Sequence, residues 1–538
     1  MDKNTISQID STPLLARVAK EKEVDLMSSS LSDRGLPPKP RADRQGGGSS
    51  IIQFGEGNFL RGFVEWIVQR MNEEIGFNAS VAIVKPRPGN SLELLKAQGC
   101  RYHVNLQGLQ NGQPVDTIEE ITCISAAINP YEDYTAFIAL AEDPAARFIV
   151  SNTTEAGITF DPECSFADTP PSSYPAKLTQ LLYHRYRTFR GDEKKGFIIL
   201  PCELIFGNGH LLERCVHQYI ELWANEFDAD AQPFQEWVER ACFFCTTLVD
   251  RIVPGFPKKG VESLQARLPQ ADPLLVQAEP YHLWVIETAM NLPLEQLAKE
   301  FPAERTDLNV VFTTDESPYH ERKVTLLNGP HTVLSPVAFL AGLDIVRDAC
   351  QHEVVGPFIR RVMYEELLPT LNLPEEELRR FADDVMERFC NPFVDHQLTS
   401  IMLNSLPKFQ TRDLPGLKTY LERKGTLPKG IVLGLAAICV YYRGGQRADG
   451  TPIQPSDDPR ILKLLADLWA GTPPTGGSGE RGLSRRVAEG VLAAQELIWH
   501  EHGDLNAIPG LTDLLAQSIQ SILERGMMKT VKRMTNDE

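Results

Sequence analysis

"IIQFGEGNFLRGF", residues 51–63, sets two glycines between an apolar run and a segment with helical spacing. Ser50 to Phe54 reads as a short buried strand, rich in β-branched and aromatic residues. From Phe59 the period changes. Phe59, Phe63, Ile67 and Met71 recur every four residues, as on one face of a single helix. Gly55 and Gly57 then fall in a strand-to-helix turn. Glycine there lets the backbone bend sharply and approach a phosphate, which the first helical amides, Asn58 and Phe59, would receive. The dinucleotide fingerprint asks for a third glycine where Leu60 stands, and Gly62 comes late. The pattern fits a phosphate-binding turn and an ordinary tight turn alike.

Working outward, "SVAIVKPRP" (Ser80 to Pro88) reads as a second strand, and "RYHVNLQGL" and "VDTIEEIT" as further strands. "RFIVSNTTEAGI" and "KGFIILPCELIFGNG" share one design, an apolar strand (Gly196 to Leu200 in the second) running into a polar loop. Strands alternating with helices imply a parallel doubly wound sheet, whose ligands bind beyond the carboxyl ends of the strands. "GEGNF", "SNTTEAG" and "CELIFGNG" should therefore converge on one crevice, with Asn152 and Thr153 beside a cofactor. From about Ser317 the pattern is helical to the end. The expected organisation is a flexible extension at 1–49, Ser-, Pro- and Gly-rich with a short amphipathic helix around Leu14 to Leu26. An α/β dinucleotide-binding domain at 50–312 and an α-helical substrate domain at 313–538 follow it.

A chain of 538 residues exceeds what one core usually supports. Hydrophobic content of 42% and charged content of 23% are ordinary for a globular protein. The N-terminus has no apolar signal-peptide core and no run reaches a membrane span, so a cytoplasmic location is expected. With 54 basic and 72 acidic residues the net charge is −18, which argues against nucleic acid and anionic membranes as partners. Among ten cysteines, Cys242 and Cys245 in "CFFC" have redox or zinc spacing. Their flanks are apolar and no partner pair or histidine follows at ligand spacing, so they read as buried thiols.

"SPYHERKVTLLNGPHTVLSPVAFL", residues 317–340, carries the candidate chemistry. Ser317 and Pro318 read as a cap and first turn. On a regular helix Lys323, Asn328 and His331 fall within an arc of about 140°, His331 in the middle. Pro330 removes a backbone donor and should kink the helix beside them. An amine, an amide and an imidazole gathered among leucines suit the joint handling of a proton and a carbonyl oxygen. A solvated helix end with a chance histidine would show the same spacing.

"FGEGNFLRGF", "VSNTTEAGI", "LPCELIFGNG", "TLVDRIVPG", "AEPYHLWVIE", "ERKVTLLNGPHT" and "NPFVDHQLTSIMLNSLPKFQTRDLP" occur in this order. Together, over residues 50–450, they resemble the long-chain polyol and mannitol dehydrogenase family. The resemblance implies a Rossmann-type domain followed by a helical one, NAD as cofactor, no zinc, and interconversion of D-tagaturonate and D-altronate in hexuronate catabolism. It places the family's lysine, asparagine and histidine on Lys323, Asn328 and His331, and a second asparagine on Asn208. Lys323 would be the acid–base group, Asn208 and Asn328 would polarise the carbonyl oxygen, and His331 would orient the substrate. The second strand ends in Lys85 and Arg87 rather than an acid, so NAD is implied by the resemblance alone. Arg61, Lys408, Arg412 and Arg443 are candidates for a substrate carboxylate, Lys408 preferred because it lies in a family block. Fructuronate or fructose reduction, an epimerase that retains its NAD, and a non-catalytic dinucleotide sensor are the alternatives.

Overall fold

β1 (Ser50–Phe54) lies inside a sheet of parallel strands, flanked by β2 (Ser80–Val84) and β6 (Ala146–Ser151). With β5 (Ile124–Ile128), β7 (Ile198–Pro201) and β8 (Phe243–Phe244), the order is β5-β2-β1-β6-β7-β8. This computed structural model describes residues 50–89, 92–154, 156–471 and 480–535; the expected extension at 1–49, with its helix around Leu14 to Leu26, lies outside them. The chain builds outward from β1 to β5, then returns to β6 and builds the other way. β1 and β6 thus bound the switch point, where a doubly wound sheet opens its ligand crevice. Burial explains the apolar runs. Ile51 faces one core, with Phe63, Ile67 and Trp284, and Ile52 faces the other, with Phe137, Leu181 and Leu212.

Several boundaries differ from the sequence reading. The second strand stops at Val84, before Pro86 and Pro88, and the strand expected at Gly196 to Leu200 runs Ile198–Pro201. β3 (Tyr102–Gln110) and β4 (Gln113–Ile121) form an antiparallel hairpin outside the central sheet, joined by β10 (Val276–Ala278). A third sheet contains β9 (Thr246–Asp250), β11 (Leu283–Glu287) and β12 (Val310–Thr313). The single helix expected from Phe59 to Met71 is two, Asn58–Arg61 and Val64–Ile75. Its carbonyls are diverted at the break: the Tyr102 hydroxyl donates to Arg61 O and the Arg251 guanidinium to Gly62 O, 2.7 and 2.8 Å. A Cβ on Gly62 would come within 2.9 Å of Val253, so glycine permits the close approach.

From Ser317 the described chain is helical apart from a two-stranded ribbon at Gly445–Gln446 and Pro452–Ile453. Its core is a separate apolar cluster around the Lys429–Tyr441 helix, which Leu248, Leu283 and Val285 extend into the third sheet. All ten cysteines are free thiols, and burial pushes Cys242 and Cys245 up to about 12. No described helix is long and apolar enough to cross a membrane.

Candidate active site

Gly55 leaves β1 at φ +132°, and a Cβ there would meet Leu60 at 2.7 Å and the Asn152 carbonyl at 3.1 Å. Only glycine lets the turn lie this close to the loop after β6. Gly57 caps the first helical turn with ordinary φ, and a Cβ on it would meet nothing within 4 Å. Open space therefore lies in front of the amides of Asn58 and Phe59. At the end of β2, Lys85 is paired with Glu56 of the glycine turn at 2.6 Å, while Arg87 donates to the Thr154 hydroxyl at 3.1 Å.

The loops after β6 and β7 are tied together by Glu203. Its buried carboxylate accepts from the Ser151 hydroxyl at 3.0 Å and from the Thr153 amide and hydroxyl at 2.9 Å each. Thr153 therefore faces inward onto Glu203 rather than into the crevice. Asn152 and Thr154 line the crevice instead. Asn208 also departs from its expected role. Its amide donates to Pro201 O, Glu203 O and Thr247 O at 3.1, 3.0 and 2.8 Å, and its oxygen accepts from Thr247 N at 2.9 Å. Fully buried, with both amide hydrogens committed to backbone, it staples loop to strand and has no donor left for a carbonyl.

Helix Ser317–Lys323 continues through a π turn, Val324–Asn328, into helix Gly329–Leu340. Ser317 is the first helical residue rather than the cap: Glu316 precedes it, and the Asp315 carboxylate accepts from the Ser317 amide at 3.0 Å. The Gly329 amide donates to Val324 O, five residues back, immediately before Pro330. A proline ring collides with the carbonyl four residues earlier, and widening this turn relieves the crowding. The 140° arc of a regular helix therefore does not apply, because the wide turn lies between Lys323 and His331.

Lys323 lines a cavity of about 680 Å³ with Phe59, Asn152, Thr154, Leu204, Val249 and Asp250. Its ammonium donates to Val249 O at 2.8 Å. Desolvation holds its pKa below the ordinary lysine value, and the Asp250 carboxylate opposes that shift. Asn328 and His331 follow on the next turns. Among the described residues nothing bonds the Asn328 amide, whose backbone oxygen takes the Thr332 hydroxyl at 3.0 Å. The His331 ring packs 4.1 Å from that of Phe389 and 5.3 Å from that of His396, with Nε2 buried and unpartnered. Burial first, then the surrounding cations, hold His331 well below the usual histidine range, so its imidazole is neutral. Helix and sheet thus bring Lys323, Asn152 and Phe59 to one cavity, whose lining does not include Asn328, His331 or Asn208.

Sequence reasoning missed the charges that organise this wall. Arg388, on helix Glu375–Phe389, forks onto both oxygens of Asp250 at 2.9 and 3.0 Å and both of Glu279 at 2.9 and 3.1 Å. The guanidinium also lies 4.2 Å from the Tyr281 ring centroid. Glu316, whose pKa burial pushes up to about 7, has one buried oxygen without a partner and lies within electrostatic reach of Lys323. An acid closing an apolar strand, as Asp250 closes "TTLVD", was the available signal.

The proposed carboxylate ligands separate by position. Arg61 donates to Leu274 O at 2.9 Å and to the Asn58 side chain, so it braces the first helical turn rather than offering a free fork. Arg443 is exposed, 5.4 Å from the Trp469 ring centroid. Lys408 and Arg412, on helix Ser405–Arg412, are half-buried and both act electrostatically on His331.

The mannitol dehydrogenase Rossmann-domain profile matches residues 49–298, and the mannitol dehydrogenase C-terminal-domain profile matches residues 315–522. The chain belongs to the mannitol dehydrogenase family. Within it, the chain is 59% identical to altronate oxidoreductase of Phocaeicola vulgatus over 482 residues, 90% of this chain and 96% of that one. It is 42% identical to altronate oxidoreductase of Bacillus subtilis over 483 residues, 90% and 94% of the two chains. The fold matches the complex of Pseudomonas fluorescens mannitol 2-dehydrogenase with NAD and D-mannitol at a TM-score of 0.62 and 21% identity, covering 94% and 98% of the chains. A substrate-free D-sorbitol dehydrogenase matches at 0.72, also at 21% identity, over 93% and 98%. As a mannitol dehydrogenase family member, the chain is an oxidoreductase of the polyol and sugar-acid class.

Proposed function

We propose that this protein is an NAD(H)-dependent oxidoreductase that interconverts D-tagaturonate and D-altronate in cytoplasmic hexuronate breakdown. The observation that carries the reading is Lys323: a half-buried amine from the helical part, set in a cavity whose other wall is the switch point of the dinucleotide sheet. The altronate oxidoreductase relatives support the substrate, and the NAD complex of a family neighbour supports the cofactor. The residues fit that cofactor. The cradle in front of Gly57 is one that a Cβ would enter, and Asn58, Phe59 and Asn152 border it.

NAD(H), if bound there, would supply the hydride chemistry at the carbonyl carbon. The chain's own groups manage the charge and the proton. As negative charge grows on the carbonyl oxygen, the Asn328 amide donates a hydrogen bond to it. Lys323 delivers the proton in reduction and withdraws it in oxidation; its lowered pKa brings it closer to neutrality than an exposed lysine. His331, neutral and with Nε2 unpartnered, holds a substrate hydroxyl. Lys408 offers positive charge to the carboxylate. NADH consumption across tagaturonate, fructuronate and fructose with one preparation tests the reading. Stoichiometric consumption with tagaturonate, far faster than with the others, is the expected outcome. Preference for fructose would make the protein a polyol dehydrogenase, and product formation without net NADH loss would make it an epimerase.

A further inference from the structure

Helix Ser405–Arg412 carries two cations four residues apart, Lys408 and Arg412, on one face and both half-buried. Like charges at this spacing repel, and burial compounds the cost, so the pair is unfavourable as it stands. Asp457 lies within electrostatic reach of Lys408 and Asp413 of Arg412, but among the described residues neither cation forms an ion pair. Asp413 is fully buried, neither of its oxygens bonds a protein donor, and burial pushes its carboxyl well up towards neutrality. Asp457 accepts from the Tyr442 hydroxyl and the Asp458 amide.

The pair is aimed by its contacts. One Arg412 nitrogen donates to the Thr332 hydroxyl at 3.2 Å, and that hydroxyl donates to Asn328 O at 3.0 Å. Lys408 donates to Ile401 O at 2.8 Å and keeps two further hydrogens. Both cations act electrostatically on His331, whose Nε2 is buried and unpartnered. The set combines an amine at Lys323, an amide at Asn328, an imidazole at His331 and, through the Arg412–Thr332–Asn328 contacts, an excess of positive charge. A polyol has no group that needs that last feature. A keto acid does, at the end remote from its carbonyl.

We propose that Arg412, with Lys408, receives the substrate carboxylate and is the residue that separates a keto acid from the uncharged ketose. The inference deepens the reductase reading given above and rests on it. A guanidinium offers a planar fork that a carboxylate fills with two hydrogen bonds, and the anion cancels the repulsion between the two cations.

The test is steady-state reduction of tagaturonate and of the uncharged ketose tagatose by wild type, Arg412→Gln, Arg412→Lys and Lys408→Gln. NADH binding, followed by its fluorescence, confirms that each variant is folded. In Arg412→Gln, kcat/KM for tagaturonate should fall about 10²-fold while that for tagatose changes less than about threefold. Arg412→Lys should recover part of the loss, and Lys408→Gln should move the ratio in the same direction. Equal losses on both substrates, or an unchanged ratio in both Gln variants, would overturn the proposal. A wild type that prefers the uncharged ketose would overturn the reductase reading itself, whatever the variants do.

Discussion

Arg388→Met removes one guanidinium and leaves two carboxylates facing each other in the seam between the two halves. Arg388, Asp250 and Glu279 have side chains only 5, 7 and 3% exposed. Taking one partner from a buried ion pair costs roughly 3–5 kcal/mol. At about 2–4 °C per kcal/mol for a unit of 150–250 residues, that is a fall of about 6–20 °C in Tm. The pH dependence follows from the sign of the shifts. Asp250 is held below the usual carboxylate range by Arg388, working against burial. The stability it contributes is therefore present above the unfolded aspartate pKa and lost as pH falls through the lower folded value. In the variant the two acids instead take up a proton, so the penalty shrinks in acid. Calorimetry should show wild type and variant far apart at pH 7–8 and converging towards pH 4. Asp250→Asn and Glu279→Gln added to Arg388→Met should restore much of the loss. A Tm difference below about 2 °C, or one that stays constant with pH, would refute the view that this fork holds the wall of the cavity.

Lys323→Met should cut turnover by about 10²–10⁴-fold while NADH affinity stays nearly constant. In wild type, ketone reduction should fall and alcohol oxidation rise as pH climbs through the Lys323 pKa, below 10.5, and the variant should lose that limb from both profiles. Asn208→Ala strands the buried Thr247 N and takes one donor from each of three backbone oxygens, two of which keep another. An unpaired buried group is worth about 1–3 kcal/mol, so loss of Tm should be the variant's first symptom. Asn328→Ala should spare Tm and lower kcat; a reversed pattern would return Asn208 to the carbonyl. A Cβ at Gly57 meets no atom within 4 Å and the φ is an allowed one, so the free Gly57→Val protein should fold as wild type while NADH affinity measured by fluorescence drops at least tenfold. Unchanged affinity would place the cofactor elsewhere.

The sheet was legible because β1, β6 and β7 are buried on both faces and so are written as unbroken apolar runs ending in glycine or polar loops. Loop convergence followed from topology. The roles of Asn208 and Asn328 were not separable in sequence, since spacing does not report what else bonds an amide. Thr153 was misassigned for the same reason: its partner Glu203 lies 50 residues away. Arg388 reaches Asp250 across 138 residues, and no local pattern announces such a fork. Pro330 did announce a disturbance in the helix, but a missing donor is equally compatible with a bend and with a widened turn.

The π turn at Val324–Asn328 acts as a phase setting between two rigid pieces. Upstream, Lys323 is held to the β9 backbone; downstream, Gly329–Leu340 is packed into the helical core. The wide turn absorbs one residue more than a regular turn, so excising one would restore ordinary winding and leave both pieces nearly in place. Rewinding the same residues as regular helix would instead rotate everything downstream by about 100° and push it on by about 1.5 Å relative to Lys323. Lys323, Asn328 and His331 would keep their identities and yet no longer address the same atom. Absorbing one surplus residue in this turn therefore keeps His331 within about 20° of the direction of Lys323, where regular winding would leave it about 80° away.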